Sequence, residues 1–400
     1  ECARSLAPYA RYWAVTGSGV NHIAALEIRI KLSELCYKSI PVDFTEDKKH
    51  IDLSTEPLTL VIANDLPGDL VGDVVKEAAI FKAHNGRPIV FATEGADADA
   101  FEEYAERVIA LPRIGAVVIG RNEGQRLVNC LTSMQGEVDL LIYVDSGSSD
   151  GSLQAAEALG AETVLLSADV PFTAARARNA GFEKIMARPD APDVVLFVDG
   201  DCTLEAGYLT HAAEALAADA RLGLVTGWRA EIYPEASIYN EMCHFEWHRP
   251  AGEIMACGGD MMVRARAFEE VGGFNPEVIA AEDDEFCTRL RKAGHKLMRL
   301  PIPMTHHDAN MTRFSEWWSR AVRTGHGFEQ VNDLHPDYFV RERRRMWVYG
   351  GVLPLLALIG AVLFWPLLAL VLGLYAVSYV RTVRGLVRDG LIRDRARRHA

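Results

Sequence analysis

Residues Val194 to Leu204 read VVLFVDGDCTL, an apolar, β-branched run that stops abruptly on Asp199-Gly200-Asp201. The pattern predicts a buried strand that delivers two carboxylates at its C-terminal end, with a glycine between them so that backbone and ligand can approach closely. α/β proteins hold a divalent cation against a diphosphate in this way. Asp-Gly-Asp also occurs in ordinary turns, so the triplet takes its meaning from its neighbours.

Upstream, Ile114 to Ile119 (IGAVVI) is a second buried-strand pattern, running into Gly120-Arg121-Asn122-Glu123-Gly124 and then into the helical spacing of Leu127, Cys130 and Leu131. Leu140 to Val144 (LLIYV) follows, ending on the polar turn DSGSSDG from Asp145 to Gly151, whose side chains suit a ribose or base. A third strand-helix passage, AETVLL and then the arginine-bearing FTAARARNAG, leads back to the strand with the carboxylates. Strands alternating with helices imply a mostly parallel sheet that binds ligands at the carboxyl ends of its strands.

From Ile114 to about Val340 the chain resembles a family 2 glycosyltransferase of the GT-A fold. VVIGRNEG, VDSGSSDGS, RARNAG, VDGD, CGGDMMVRARAFEEVGGFN and AEDDEFCTRLRKAG stand in that family's order and at about its spacing. The resemblance implies a nucleotide-diphosphate sugar as donor, contacted by Asn122, Glu123, Asp145, Arg178 and Asp199. It implies Mg2+ or Mn2+ held by Asp199 and Asp201, with Asp201 the more direct ligand. It also implies Asp283 as the base, with Glu282 positioning the acceptor. The chemistry can be argued separately: sugar transfer needs charge stabilisation on the departing diphosphate and a base on the opposite face. Hard cations prefer carboxylate oxygens, and the crowded Glu282-Asp283-Asp284-Glu285 must raise at least one pKa. The same four acids also suit a helix N-terminus, and the two roles are compatible.

His306-His307-Asp308 follows a short strand predicted over Leu297 to Leu300, and His307 is the favoured further metal ligand, as GT-A enzymes often supply a late histidine. The stretch FSEWWSRAVRTGHGF, Phe314 to Phe328, lacks the Gln-x-x-Arg-Trp signature of processive relatives. Arg320 and Arg323 there suit a diphosphate or a lipid phosphate. Trp317 and Trp318 fit core packing slightly better than a membrane interface.

Trp347 to Val380 is almost free of charge, with Pro354 and Pro366 inside it and arginine clusters on both sides. As one helix of about 34 residues it would reach about 51 Å, well beyond the ~30 Å hydrocarbon core. With both flanks basic, the positive-inside rule favours a transmembrane or re-entrant hairpin turning near Gly360 to Pro366, at a bacterial-type inner membrane, with the catalytic domain in the cytoplasm. Seven cysteines, none in a CxxC pair, fit that reducing compartment. A net charge of −13 with a basic tail argues against nucleic acid and for an acidic body held beside anionic lipids. A chain beginning on Glu1 reads as part of something longer.

The segment before Pro112 predicts another doubly wound α/β unit: RYWAV, the Gly-rich TGSGVN, a helix from about His22 to Tyr37, then LTLVIA, PIVFAT and VIALP. ALEIRIKLSELCYKS, with the spacing to EDKKH, resembles the sugar isomerase (SIS) domain in the C-terminal half of glucosamine-6-phosphate synthases. By that resemblance Lys31, Glu34 and His50 match an isomerase's acid-base set; by spacing alone, Lys31 and Glu34 are an exposed helical pair. The sister domain and C-terminal tail of that family are absent, which implies a partial module. The expected organisation is an SIS-like domain over 1–112, a GT-A domain over 113–340 and a helical hairpin with a basic tail over 341–400. The expected function is inverting, metal-dependent transfer of a sugar to a glycan or lipid-linked acceptor. The alternatives are isomerase or aminotransferase activity, or sugar-phosphate sensing, in the first domain.

Overall fold

The computed structural model describes residues 13–36, 40–47, 58–189 and 191–399. The chain forms two compact units, Glu1–Arg113 and Ile114–Ala400.

In the first unit, strands β1 (Trp13–Gly17), β2 (Val42–Asp43), β3 (Leu58–Ala63), β4 (Arg87–Thr93) and β5 (Arg107–Leu111) form a parallel sheet in the order β2-β1-β3-β4-β5. Helix α1 (Asn21–Cys36) packs Ala25, Ile28 and Leu32 beside Val15 and Ile62. Helices α2 (Gly68–Ala83) and α3 (Ala96–Phe101) bring Val74, Phe81 and Phe101 against Val61, Val90 and Ala92. Ile62 and Val61 are neighbours on one strand, so these two clusters lie on opposite faces and the sheet is covered on both.

The second unit is built on β6 (Ile114–Gly120), β7 (Leu140–Asp145), β8 (Glu162–Leu165), β9 (Val194–Asp199), β10 (Cys202–Leu204), β11 (Leu222–Glu231), β12 (Gly252–Glu253), β13 (Met261–Arg264) and β14 (Lys296–His307). They run in the order β10-β14-β11-β13-β9-β6-β7-β8, with β12 paired to β14. The half made of β9, β6, β7 and β8 is parallel, while β13 runs antiparallel to both β9 and β11. Alternate residues of β9 serve the two cores: Val195 and Phe197 join Phe268, Phe274 and Phe286, while Leu196 and Val198 join Leu127, Leu131 and Tyr208. Burial on both faces is why the sequence there is an unbroken apolar run rather than an alternating one.

Helices α4 (Gln125–Thr132), α5 (Ser152–Ala158), α6 (Ala174–Met186) and α7 (Tyr208–Ala218) make the crossovers and flank the sheet. Thr173 caps α6 by accepting the Arg176 amide. Gly181 lets α6 lie on the sheet, because a Cβ there would collide with Val117. After α8 (Ile238–Trp247) and α9 (Ala265–Glu270), α10 (Glu282–Lys292) begins with four acids and ends with Arg289, Arg291 and Lys292, the charge order its dipole favours.

Strand β14 corrects the reading of a short strand followed by a histidine loop: it continues through Pro301 and Pro303 to His307. Prolines cannot donate to a ladder, and β14 accommodates them where its pairing with β11 shifts register around Thr226 and Trp228.

Helix α11 (Phe314–Leu334) leads to α12 (Val340–Met346), a π-helical turn (Trp347–Val352) and α13 (Leu353–Leu363). The chain reverses at Phe364 into α14 (Trp365–Arg388), then into the short basic α15 (Arg393–His399). Two continuous helical stretches, Val340–Leu363 and Trp365–Arg388, are long and apolar enough to cross a membrane, and both are mostly exposed.

Candidate active site

The sheet register assembles the site. Pairing of Ile119 with Asp199 and of Gly120 with Asp145 brings the carboxyl ends of β6, β7 and β9 level. Antiparallel pairing of Cys202 with His307 then sets His307 beside Asp201, its Nε2 3.2 Å from the carboxylate. Burial would raise the Asp201 pKa, but the hydrogen bond and charge of His307, aided by Arg229, outweigh it and leave the carboxyl below its ordinary value.

Arg178, fully buried on α6, donates to Asp199 at 2.7 Å and to Glu282 at 2.6 Å. One guanidinium thus joins the aspartate strand to the acidic helix across 104 residues of chain. Burial opposes its charge, but Asp199 and Glu282 more than compensate and raise its pKa. Asp199 also has Arg229 3.8 Å away, and Arg229 is paired at 2.7 Å with the buried Asp260. Desolvation raises the Asp199 pKa despite these arginines. Gly259 is required here, since a Cβ would strike the Arg178 guanidinium and lie 3.0 Å from the Asp199 carboxylate.

Ala281, in the left-handed region at φ 58°, turns the chain into α10 and points its first acids into the cleft. Desolvation and the charges of Glu282 and Asp284 push Asp283 well above the usual carboxylate range. Asp284 is pushed up to about 6 by burial, against the Tyr338 hydroxyl that donates to it at 2.9 Å. His335 Nε2 lies 3.1 Å from Glu285, so the segment after α11 is tied to the acidic turn at two points.

Two adjoining cavities, of about 830 and 970 Å3, share Asp199, Arg229, Trp247, Arg320 and Arg323 in their walls. The first also contains Glu123, Asp201 and His307; the second contains Glu282, Asp283 and Asp284. The guanidiniums of Arg229 and Arg320 each lie 5.5 Å from the centre of the Trp247 ring.

Other sequence candidates have more local roles. Asn122, at φ 58°, accepts the Ser149 amide, and Asp145 is buried, accepting from the Tyr143 hydroxyl and the amides of Gly147 and Ser148. These contacts shape the loops that rim the cleft. Glu123 pairs with Arg126 at 2.6 Å, yet burial and the nearby Asp201 raise its pKa. Lys31 and Glu34 are exposed on α1, and His50 lies outside the described residues. Trp318 is exposed and Trp317 half-buried, which corrects the core-packing expectation for the first of them.

For a divalent cation, the donor set fits. Asp201, Cys202 and His307 offer ligand atoms within 4.8 Å of one another, and so do Asp199, Cys202 and Asp260. Burial raises the Cys202 thiol pKa, and hard cations prefer oxygen to sulfur, which favours the carboxylate and imidazole donors; His307 Nδ1 is buried without a hydrogen-bond partner among the described residues. Asp260 and Arg229 were not singled out by the sequence; the acidic end of CGGD before an apolar strand was the available signal.

Residues 116–272 match the family described as glycosyl transferase family 2, and residues 237–313 match one described as the N-terminal domain of galactosyltransferase. The chain therefore carries a domain that matches the family 2 glycosyltransferases over residues 116–272, and the curated relatives it resembles are transferase enzymes. It is 26% identical over 274 residues to the pre-mycofactocin glycosyltransferase of Mycobacterium tuberculosis, covering 65% of this chain and 53% of that one, so it spans about half the length of the curated relatives it matches. Among solved structures, it is similar to a mannosyltransferase from Pyrobaculum calidifontis in complex with GDP-Man and Mn2+, at 19% identity and a TM-score of 0.48, over 67% of this chain and 80% of that one. It is also similar to glucosyl-3-phosphoglycerate synthase from Mycobacterium tuberculosis in complex with Mn2+, uridine-diphosphate and glucosyl-3-phosphoglycerate, at 16% identity and a TM-score of 0.38, over 53% and 77%.

Proposed function

We propose that the chain is an inverting, metal-dependent glycosyltransferase that moves a sugar from a nucleotide diphosphate to a glycan or lipid-linked acceptor at the cytoplasmic face of a membrane. The observation that carries this reading is the Arg178 bridge, which sets the Asp199 strand and the Glu282-Asp283 turn on one cleft. Donor nucleotide and diphosphate occupy the side lined by Glu123, Asp201 and His307, and the acceptor the side lined by Asp283 and Asp284.

Asp283 takes the proton of the acceptor hydroxyl, whose oxygen attacks the anomeric carbon as the bond to the diphosphate breaks. The raised pKa of Asp283 favours holding that proton once taken. Glu282, fixed by Arg178, orients the acceptor. Asp201 and His307, with Asp199 beside them, would hold Mg2+ or Mn2+, which supplies Lewis-acid charge to the departing diphosphate. Arg320 and Arg323 add positive charge where diphosphate leaves.

The two apolar stretches on either side of Phe364 form a hairpin held in the membrane, with the arginines before Met346 and after Val380 on its cytoplasmic side. Sugar-phosphate isomerisation or sensing by the first unit is the weaker alternative, because Lys31 and Glu34 are exposed. Full-length protein incubated with a panel of nucleotide sugars and Mn2+, and separately with fructose-6-phosphate, tests the choice. Release of nucleoside diphosphate supports the transferase reading; turnover confined to the sugar phosphate overturns it.

A further inference from the structure

Resting on the membrane reading above, we infer that α11 is an interfacial helix whose outer face lies in the headgroup layer of an anionic bilayer while its inner face lines the catalytic cleft. Phe314, Trp318 and Val322 recur every four residues and are 59%, 54% and 56% exposed. This is an apolar stripe turned to solvent on a helix of 21 residues. Phe314 packs near both Trp317 and Trp318, so the stripe begins as an aromatic cluster.

Acidic charge is scarce along the stripe. Between Arg313 and Phe328 the only acid is Glu316, and its carboxylate is engaged by the Thr312 and Arg313 amides at the helix start. Arg320 and Arg323 lie on the cleft side of the helix, in the walls of both cavities. The exposed apolar face is acid-poor and, with the arginines of α15 nearby, complements anionic lipid headgroups rather than an acidic protein surface in water.

Continuity with the hairpin fixes the occupant as lipid. Trp317 stacks on Tyr239 of α8. Two residues further along α8, Glu241 holds Arg395 at 2.6 Å and His399 at 3.0 Å, docking the basic α15. The Tyr379 hydroxyl, near the end of the apolar part of α14, donates to the Arg397 carbonyl. The aromatic cluster, the arginine-rich α15 and the base of the hairpin are therefore linked through one chain of contacts. Because Arg320 and Thr324 on the same helix line both cavities, the cleft would open at the level of the headgroups, where a lipid-linked acceptor presents its hydroxyl.

The test uses full-length protein in phosphatidylglycerol nanodiscs, with Cys2 and Cys36 replaced by serine and the buried cysteines retained. Single spin labels are placed at Phe314→Cys, Trp318→Cys or Val322→Cys. Leu358→Cys marks the hairpin and Glu137→Cys an aqueous turn. The expected result is that the three α11 labels, like Leu358, are more accessible to oxygen and less to a water-soluble nickel chelate than Glu137. If Leu358 is in lipid while the α11 labels match Glu137, the inference is overturned and the hairpin stands. If Leu358 also matches Glu137, the membrane reading itself falls. Protection of α11 that appears only when two copies share a disc would assign the stripe to a second copy of the chain, and overturn a lipid occupant.

Discussion

The two units both place parallel strands under helices, yet they treat their polar residues in opposite ways. In the first, Lys31 and Glu34 sit three apart on one helix and face solvent. In the second, residues from β9, α6, α10 and β14 converge on one cleft: the buried Arg178 joins Asp199 to Glu282, and His307 lies beside Asp201. Motif residues on one helix can satisfy a spacing without making a site. Convergence from several elements, at the cost of burying charge, is harder to obtain without function.

The largest effect expected from that contrast is Asp283→Asn, which should bind donor normally and lose turnover by about two to four orders of magnitude, the usual worth of a general base. Steady-state kinetics beside donor titration measures both; near-normal turnover would move the base to Asp284. Next, Arg178→Met leaves Asp199 and Glu282 facing each other without their shared partner. It should destabilise the Ile114–Ala400 unit by about 3–5 kcal/mol, visible as a lower urea midpoint. A midpoint unchanged would mean the bridge is ornamental.

A smaller effect follows from Tyr338→Phe. The base works deprotonated, so activity is lost as pH falls through its raised pKa, and the Tyr338 hydroxyl favours the charged form of Asp284. Removing it leaves Asp284 neutral to higher pH, which relieves the like charge on Asp283 and should move the acid limb of the kcat/KM profile downward by about half a unit to one unit. A profile that does not move would mean that Asp284 does not set the charge around the base. The smallest effect belongs to the first unit: Lys31→Ala with Glu34→Ala should change stability by less than about 0.5 kcal/mol and leave nucleotide-sugar turnover intact. Loss of a fructose-6-phosphate activity in that variant would erase the contrast between the units.

What could be read in advance follows the same division. The aspartate strand and the acidic helix were legible because an unbroken apolar run and a four-acid turn are local patterns. The Arg229–Asp260 pair was not, since it depends on β11 and β13 lying side by side across 31 residues. His307 was selected by type but placed in a loop, because Pro301 and Pro303 mask a strand that continues past them. For Trp318 residue type tips only slightly towards the core, whereas its exposure comes from which face of α11 meets the sheet domain. His50 lies outside the described residues, so of the isomerase-like acid-base set only Lys31 and Glu34 are described, and both are exposed.

In the proposed reaction the cleft between Asp201 and Asp283 takes a nucleoside diphosphate through a divalent cation. Calorimetric titration of the full chain with UDP and with GDP, each with and without Mn2+, tests this most directly, with Asp201→Asn as the partner variant. Binding by at least one of the two nucleotides should need Mn2+ and weaken by at least about tenfold in the variant. Equal affinity with and without the metal, unchanged by Asp201→Asn, would contradict it.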